Sequence, residues 1–183
     1  MLEQLEFDKE LGIIGDIGGD LAATQRHHRG ADHSPGKGLA PVFLASALAD
    51  PGTAEAPGGL LQRVQIIKGW YEGDSFHQAV HDVAGNGQNG ASVDTATCTV
   101  SGPGWRELCG GWRDPDFDPD QPAVYYARVI ENPSCRWSSW QCLEFPENQR
   151  PRACADPNIA SAIQERAWTS PIWYVPAGND LAG

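Results

Sequence analysis

The chain has 183 residues and a formal net charge of −11, and 40% of its residues are hydrophobic while 20% are charged. These values are typical of one globular domain with its own core, and they exclude a disordered chain. Binding to nucleic acid or to an anionic membrane surface needs a basic patch, whereas the densest charge run here, residues 114–120, is acidic. We therefore predict a single soluble domain over residues 1–183 that binds neither nucleic acid nor membrane.

The N-terminal part of the chain predicts a helix, a turn and a loop. Leucine and isoleucine spacing over residues 2–14 favours a short helix, and GDIGGD at 15–20 favours a glycine-rich turn. This turn lacks the Lys-Ser/Thr of a phosphate-binding loop, so we expect no nucleotide site. Residues 24–39 are polar and predict a loop. The opening MLEQLEFDKE lacks the basic and apolar regions of a signal peptide.

The rest of the chain alternates short β-type segments with loops rich in glycine and proline. Residues 75–84 are expected to return along 61–70 as a hairpin, and DPDFDPDQP at 114–122 cannot form regular structure. Residues 135–143 predict a strand or bend, and 161–163 predict one helical turn. The predicted strands cover residues 41–50, 61–70, 75–84, 93–100, 123–131 and 165–175. For 41–50 the alternative is a helix, because the segment is rich in alanine.

This pattern predicts a mainly β fold, an antiparallel β-sandwich with long loops and one or two short helices. The 21 glycines and 14 prolines suit many short strands joined by turns. Seven tryptophans are many for this length. We expect them to pack in the core and on sheet faces, and the alternative is a stacking surface for a sugar or an aromatic ligand.

All five cysteines lie between Cys98 and Cys154, and no CxxC spacing suggests a zinc or thioredoxin-type site. Two pairs flank short loops, so we predict disulfides Cys98–Cys109 and Cys142–Cys154, with Cys135 left over. Disulfides indicate a secreted or periplasmic protein. The alternative is a set of buried free thiols.

Four strings carry a resemblance to a known family: GDIGGD, LQRVQIIKGW, WRDPDFDPDQPAVYYARVIENPSCRW and QERAWTSPIWY. In this order, from about Gly15 to Tyr174, they resemble the C-terminal portion of the DUF3604 family. The resemblance implies that longer members are PHP-like metal-dependent hydrolases, often exported, in which an N-terminal metal-binding segment with an H-x-H pair precedes the β-rich part.

None of the five histidines of this chain forms an H-x-H pair, so no metal ligand is carried over from the resemblance. We therefore expect a C-terminal fragment that acts as a non-catalytic accessory domain, packing on or covering the active site of the missing N-terminal segment. Two alternatives are an independent carbohydrate-binding module that uses exposed tryptophans and a structural domain that self-associates.

The alternating aspartates of DPDFDPD, Asp114, Asp116, Asp118 and Asp120, are a candidate calcium site because calcium prefers several carboxylates gathered in one loop. The alternative is a rigid, solvated segment that leads into the strand at 123. His77 and His81 would share one strand face roughly 13 Å apart, too far for a joint metal site.

Other residues are candidates for a ligand contact or a domain interface. Arg128, Arg136 and Arg166 fall in the best-matched strings and could face an anionic ligand or the missing domain, although stacking on tryptophans is the simpler interpretation. Asp20, Trp112 and Trp137 lie in the same strings and complete this set.

Overall fold

The computed structural model describes residues 40–54 and 56–176 with their side chains, and residues 11–15 as backbone. Among these residues, one α-helix, α1 (Trp137–Glu144), is followed by two 3-10 turns, Glu147–Gln149 and Arg152–Ala155. The strands are, in order, β1 (Leu11–Gly15), β2 (Val42–Leu48), β3 (Leu61–Glu72), β4 (Ser75–Gly85), β5 (Ser92–Asp94), β6 (Thr99–Ser101), β7 (Glu107–Arg113), β8 (Ala123–Glu131), β9 (Ser134–Cys135), β10 (Ala162–Ile163), β11 (Arg166–Trp168) and β12 (Ile172–Tyr174).

The strands form two main antiparallel sheets. The larger sheet has the order β11-β8-β3-β4, and β12 pairs with β8 on the same edge as β11. The smaller sheet has the order β1-β2-β7. Two further pairs, β5 with β6 and β9 with β10, are short ribbons. The mainly β, antiparallel fold with long loops and a short helix is therefore confirmed.

The core lies between the two main sheets. Side chains alternate along each strand, so that Val64 and Ile66 of β3 and Tyr125 of β8 turn inward. They meet Phe43 of β2 and Leu108 of β7 from the smaller sheet. Two buried clusters fill the space, one around Val64 and one around Tyr125. This arrangement leaves the opposite face of the larger sheet turned away from the core.

A glycine allows β7 to approach β4 closely across the sandwich. A Cβ atom at Gly110 would lie 2.2 Å from the carbonyl oxygen of Val83, which belongs to the backbone and cannot move aside. Any side chain at this position would therefore push the two sheets apart.

The strand at 123–131 and the hairpin of β3 with β4 match the predictions. The single strand predicted over 165–175 is divided into β11 and β12 around Pro171, and 93–100 is divided between β5 and β6. Strand β7 was not predicted at all, because Glu107–Arg113 contains two glycines and little β-branched character.

Three local predictions are wrong. Residues 135–143 contain helix α1 instead of a strand, and 161–163 pair with β9 as β10 instead of forming a helical turn. The described part of the predicted helix 2–14 is strand β1, whose backbone pairs with β2. Both segments are strands because their backbones hydrogen-bond to a neighbouring strand. The local sequence does not indicate such contacts between distant segments. The rest of that helix, the turn after Gly15 and the loop at 24–39 lie outside the described residues.

Two disulfides connect the described cysteines. Cys142–Cys154 is confirmed, and it ties α1 to the 3-10 turn at Arg152–Ala155. The predicted pair Cys98–Cys109 is wrong, because Cys98 is bonded to Cys135. Cys98 lies in the turn between β5 and β6, and β5 packs beside β9, which carries Cys135. Cys109 lies within β7, and its thiol is free and exposed.

Candidate functional site

The first aspartate of the acidic segment is turned into the protein. Asp114 is only 2% exposed, and its Oδ2 lies 2.6 Å from Nζ of Lys68. The hydroxyl of Tyr125 donates a hydrogen bond of 2.7 Å to the same oxygen. The backbone N–H of Asp116 donates to the other carboxylate oxygen at 3.0 Å. Both oxygens of Asp114 are therefore occupied by partners within the chain.

Lys68 is equally well paired at this end of the sandwich. Its side chain is 6% exposed, and its Nζ also donates to the carbonyl oxygen of Asp116 at 2.8 Å. The ammonium group lies 5.3 Å from the ring centroid of Trp70, within the range of a cation–π interaction. A buried ion pair with this many partners holds the acidic segment against the larger sheet.

The four aspartates do not come together as a calcium site. Asp116, Asp118 and Asp120 are exposed, and Oδ1 of Asp118 accepts the backbone N–H of Asp120 in a local turn. Asp114 points away from them into the core. Within residues 40–54 and 56–176, no group of three or more histidine, cysteine, aspartate or glutamate side chains is placed to hold a metal ion. The segment instead closes one end of the sandwich.

Burial and charge change the ionisation of two tyrosines at this end. Burial raises the pKa of Tyr125 far above its ordinary value, and the hydrogen bond to Asp114 and the charge of that carboxylate raise it further. Burial also raises the pKa of Tyr174, and the charges of Asp120 and Asp118 add to this effect. Tyr174 is held against the acidic segment by Phe117, which meets its ring edge-on, and by its hydroxyl, which donates to the carbonyl oxygen of Pro119.

These shifts predict a loss of stability in alkali. A tyrosine whose pKa is higher in the folded protein contributes its full stabilisation below the unfolded pKa of about 10 and loses it as the pH rises above that value. Near pH 11, the free energy of unfolding should fall by up to about 1.4 kcal/mol per pH unit through Tyr125, whose pKa is raised the furthest. Tyr125→Phe should make this fall shallower in urea unfolding measured between pH 9 and about 11.5. An unchanged slope would contradict the assignment.

The exposed side of the larger sheet carries an unusual set of side chains, which we call the outer face. It comprises the residues that alternate away from the core on β3, β4, β8, β11 and β12. Its exposed large apolar side chains are Tyr71, Phe76, Val80, Trp168 and Trp173. Its polar and charged side chains include Arg63, Gln65, Asp82, Arg128 and Arg166.

Aromatic rings occupy both ends of the outer face. Trp173 lies directly opposite Val124 of β8, and the ring of Phe76 lies over Gly69 beside the same valine, since a Cβ at Gly69 would be 3.0 Å from Phe76 and 3.1 Å from Val124. Tyr71 meets Phe76 edge-on at 5.5 Å. Trp168 lies further along, opposite Arg128. The two tryptophans are 55% and 50% exposed.

A row of polar side chains crosses the sheet beside Trp168. Nε and Nη2 of Arg128 donate to Oε1 of Gln65 at 2.9 and 2.6 Å, and Nε2 of Gln65 donates to Asp82 at 2.6 Å. Asp82 also lies 3.7 Å from Nε of Arg63. These bonds fix the guanidinium of Arg128 in place next to the exposed indole. The stacking of Arg128, Arg136 and Arg166 on tryptophans stays a prediction.

The seven tryptophans fall into three groups. Trp70, Trp105 and Trp112 are half-buried and pack against the core clusters, as expected. Trp168 and Trp173 lie on a sheet face but are exposed, and Trp137 and Trp140 are exposed on α1. Fewer than half of the tryptophans therefore pack against the core, and four of the seven are exposed to solvent.

The remaining candidates lie apart from one another. Trp112 stacks between Phe43 and His81 in the core, and His77 stacks on Trp70, so the two histidines contact different tryptophans. Arg136 precedes α1, where its backbone N–H donates to Ser161. Trp137 begins that helix. Asp20 lies outside the described residues.

Sequence reasoning missed Lys68, Tyr71, Phe76 and Trp173 as site residues. The signal was present for three of them, because alternation along 61–70, 75–84 and 165–175 places Lys68 inward and Phe76 and Trp173 outward. Tyr71 lies just beyond the predicted strand 61–70. What the sequence does not provide is the register that brings the outward residues of five strands onto one surface.

In the part of the chain that the structure describes, no helix is long and apolar enough to cross a membrane.

The fold and the outer face thus define an antiparallel β-sandwich protein with one aromatic, arginine-bearing sheet surface. The model of a family described as "Protein of unknown function (DUF3604)" matches residues 21–176. The chain belongs to this family. The search of curated proteins finds no match, and the search of solved structures also finds none.

Proposed function

We propose that this chain is a non-catalytic accessory domain of a larger, PHP-like metal-dependent hydrolase, and that it covers the mouth of the active site with its outer face. The observation that carries the proposal is the composition of this face. The second face of an antiparallel sheet is ordinarily polar and solvated. Here it presents Tyr71, Phe76, Trp168 and Trp173 to solvent, and exposed aromatic clusters mark surfaces of contact.

The disulfides support a location in the periplasm or outside the cell. Cys98–Cys135 and Cys142–Cys154 are compatible with an oxidising compartment, where such bonds form and persist. The family resemblance supports the hydrolase context, because longer members resemble exported PHP-like enzymes. In this accessory role, the domain binds at the mouth of the active site and shapes it, while the N-terminal metal-binding segment carries out the metal chemistry.

A two-piece reconstitution tests the proposal. The metal-binding segment of a longer family member is produced separately, mixed with the complete chain, and analysed by sedimentation and by hydrolysis assays. We expect a one-to-one complex, whose turnover changes when Trp168 and Trp173 are both replaced by alanine while the complex still forms. Replacing Trp137 on α1 is the matched control, since it removes an even more exposed indole away from the outer face. Two pieces that never associate would overturn the accessory role.

A further inference from the structure

We propose that the outer face binds a carbohydrate chain bearing carboxylate groups, with Trp168 and Trp173 stacking on sugar rings and Arg128 and Arg166 pairing with the carboxylates. This inference deepens the proposed function and rests on it only in that the outer face lies at the mouth of the active site, where a ligand can reach it. It names the chemical class that the surface recognises.

The two tryptophans have the placement that a chain ligand needs. They lie on β11 and β12, which share one edge of β8, and they face Arg128 and Val124. These two partners are four residues apart on β8, so the indoles are separated by roughly 14 Å along the strand. Each indole is about half exposed and offers a flat apolar surface to the C–H face of a sugar ring. Two such platforms on one face suit a linear ligand that spans both.

The charge on this face is opposite to that of the whole chain. The chain carries a net charge of −11, whereas the outer face bears three arginines against Asp82. Arg63 lies within ion-pair distance of Asp82, which leaves the charges of Arg128 and Arg166 to attract an anion. Guanidinium groups bind carboxylates through paired hydrogen bonds, so an anionic ligand complements this surface better than a neutral one.

The polar side chains beside Trp168 are held ready for a polar ligand. Arg128 is fixed by two hydrogen bonds to Gln65, and Gln65 is fixed by Asp82. A surface whose groups are already ordered loses less conformational entropy on binding. The polar row lies level with Trp168, and the facing residues between it and Trp173 are Tyr126, Ile67 and Val80. A ligand that spans both indoles therefore meets charged groups at one end and an apolar stretch along its length.

Affinity electrophoresis of the complete chain tests this inference with two matched polymers, polygalacturonate and its fully methyl-esterified form. We expect polygalacturonate to retard the chain, with binding at least about tenfold weaker to the ester, a difference of about 1.4 kcal/mol. Trp168→Ala, Trp173→Ala and Arg166→Gln should each weaken binding severalfold, while Arg166→Lys should recover part of the loss. Trp137→Ala should change nothing. Because all of these side chains are exposed, thermal unfolding should show that the variants fold normally.

Three results would overturn the inference. One is equal binding to the acidic and the esterified polymer, and another is binding that survives both tryptophan substitutions. The third is a chain that sediments as a dimer and becomes monomeric in the double variant, since the outer face would then be covered by a second copy. None of these measurements uses the metal-binding segment, so failure here leaves the reconstitution experiment to judge the accessory role separately.

Discussion

Lys68→Met is expected to lower the free energy of unfolding by about 3–5 kcal/mol, since it removes one partner of a buried ion pair and leaves a charge uncompensated. Asp114 is 2% exposed and would keep Tyr125 and a backbone N–H as hydrogen-bond partners, but it would lose the only positive charge that contacts it among the described residues. The carbonyl oxygen of Asp116 would lose its lysine donor as well.

Urea unfolding at neutral pH measures this effect, and a double variant shows its origin. Lys68→Met combined with Asp114→Asn removes both charges, so it should be less destabilised than Lys68→Met alone. Arg166→Met, which removes an exposed cation from the same sheet, is the control and should change stability by no more than about 0.5 kcal/mol. If Lys68→Met resembled this control, the ion pair would have no structural role at this end of the sandwich.

The ion pair also explains why the sequence left the acidic segment open between a calcium site and a solvated segment that leads into the strand at 123. Alternating aspartates in an extended run have the same appearance whether they face a cation or solvent. Proline-rich backbone did predict that 114–122 lacks regular structure, and this is confirmed. The sequence cannot show that one of the four carboxylates turns inward, because the partner, Lys68, lies on a strand 46 residues earlier.

Alternation along the chain predicted the fold well where strands are long. Residues 123–131 alternate apolar inward positions with outward ones over a whole strand, and 64–70 alternates in direction after an irregularity near the start of β3. Short elements were predicted poorly, since two or three residues contain no period. β10 and α1 are determined by contacts with β9 and with the turn at Arg152–Ala155, respectively. The outer face required the register of five strands and could not be assembled from any single segment.

Cysteine pairing failed for a related reason. The sequence rule joined Cys98 to Cys109 because a short loop separates them, and the same rule succeeded for Cys142 and Cys154. The hairpin of β5 and β6 turns Cys98 toward β9, while β7 carries Cys109 into the smaller sheet. Distance along the chain therefore predicts a pairing only where no strand intervenes between the two cysteines.

Removing the disulfide Cys98–Cys135 is expected to destabilise the protein more than removing Cys142–Cys154. The first bond joins residues 37 apart and the second joins residues 12 apart. In the chain-entropy description, the longer loop gives about 4 kcal/mol of stabilisation and the shorter one about 3 kcal/mol, because each bond restricts the unfolded chain. The longer bond also holds the β5–β6 ribbon to β9, so its loss should release contacts that the shorter bond does not support.

The two double alanine variants, Cys98→Ala with Cys135→Ala and Cys142→Ala with Cys154→Ala, are compared by urea unfolding. Both are made in a Cys109→Ser background, since an exposed free thiol would otherwise exchange with the remaining bond. Peptide mapping of the unreduced parent chain should recover Cys98 linked to Cys135. A peptide linking Cys98 to Cys109 would overturn the pairing, and a larger loss from the Cys142–Cys154 variant would show that loop entropy does not set the order.

The shorter bond should matter locally, because it connects α1 to the turn that follows. Its removal should therefore increase hydrogen exchange in Trp137–Glu144 before the sandwich itself unfolds.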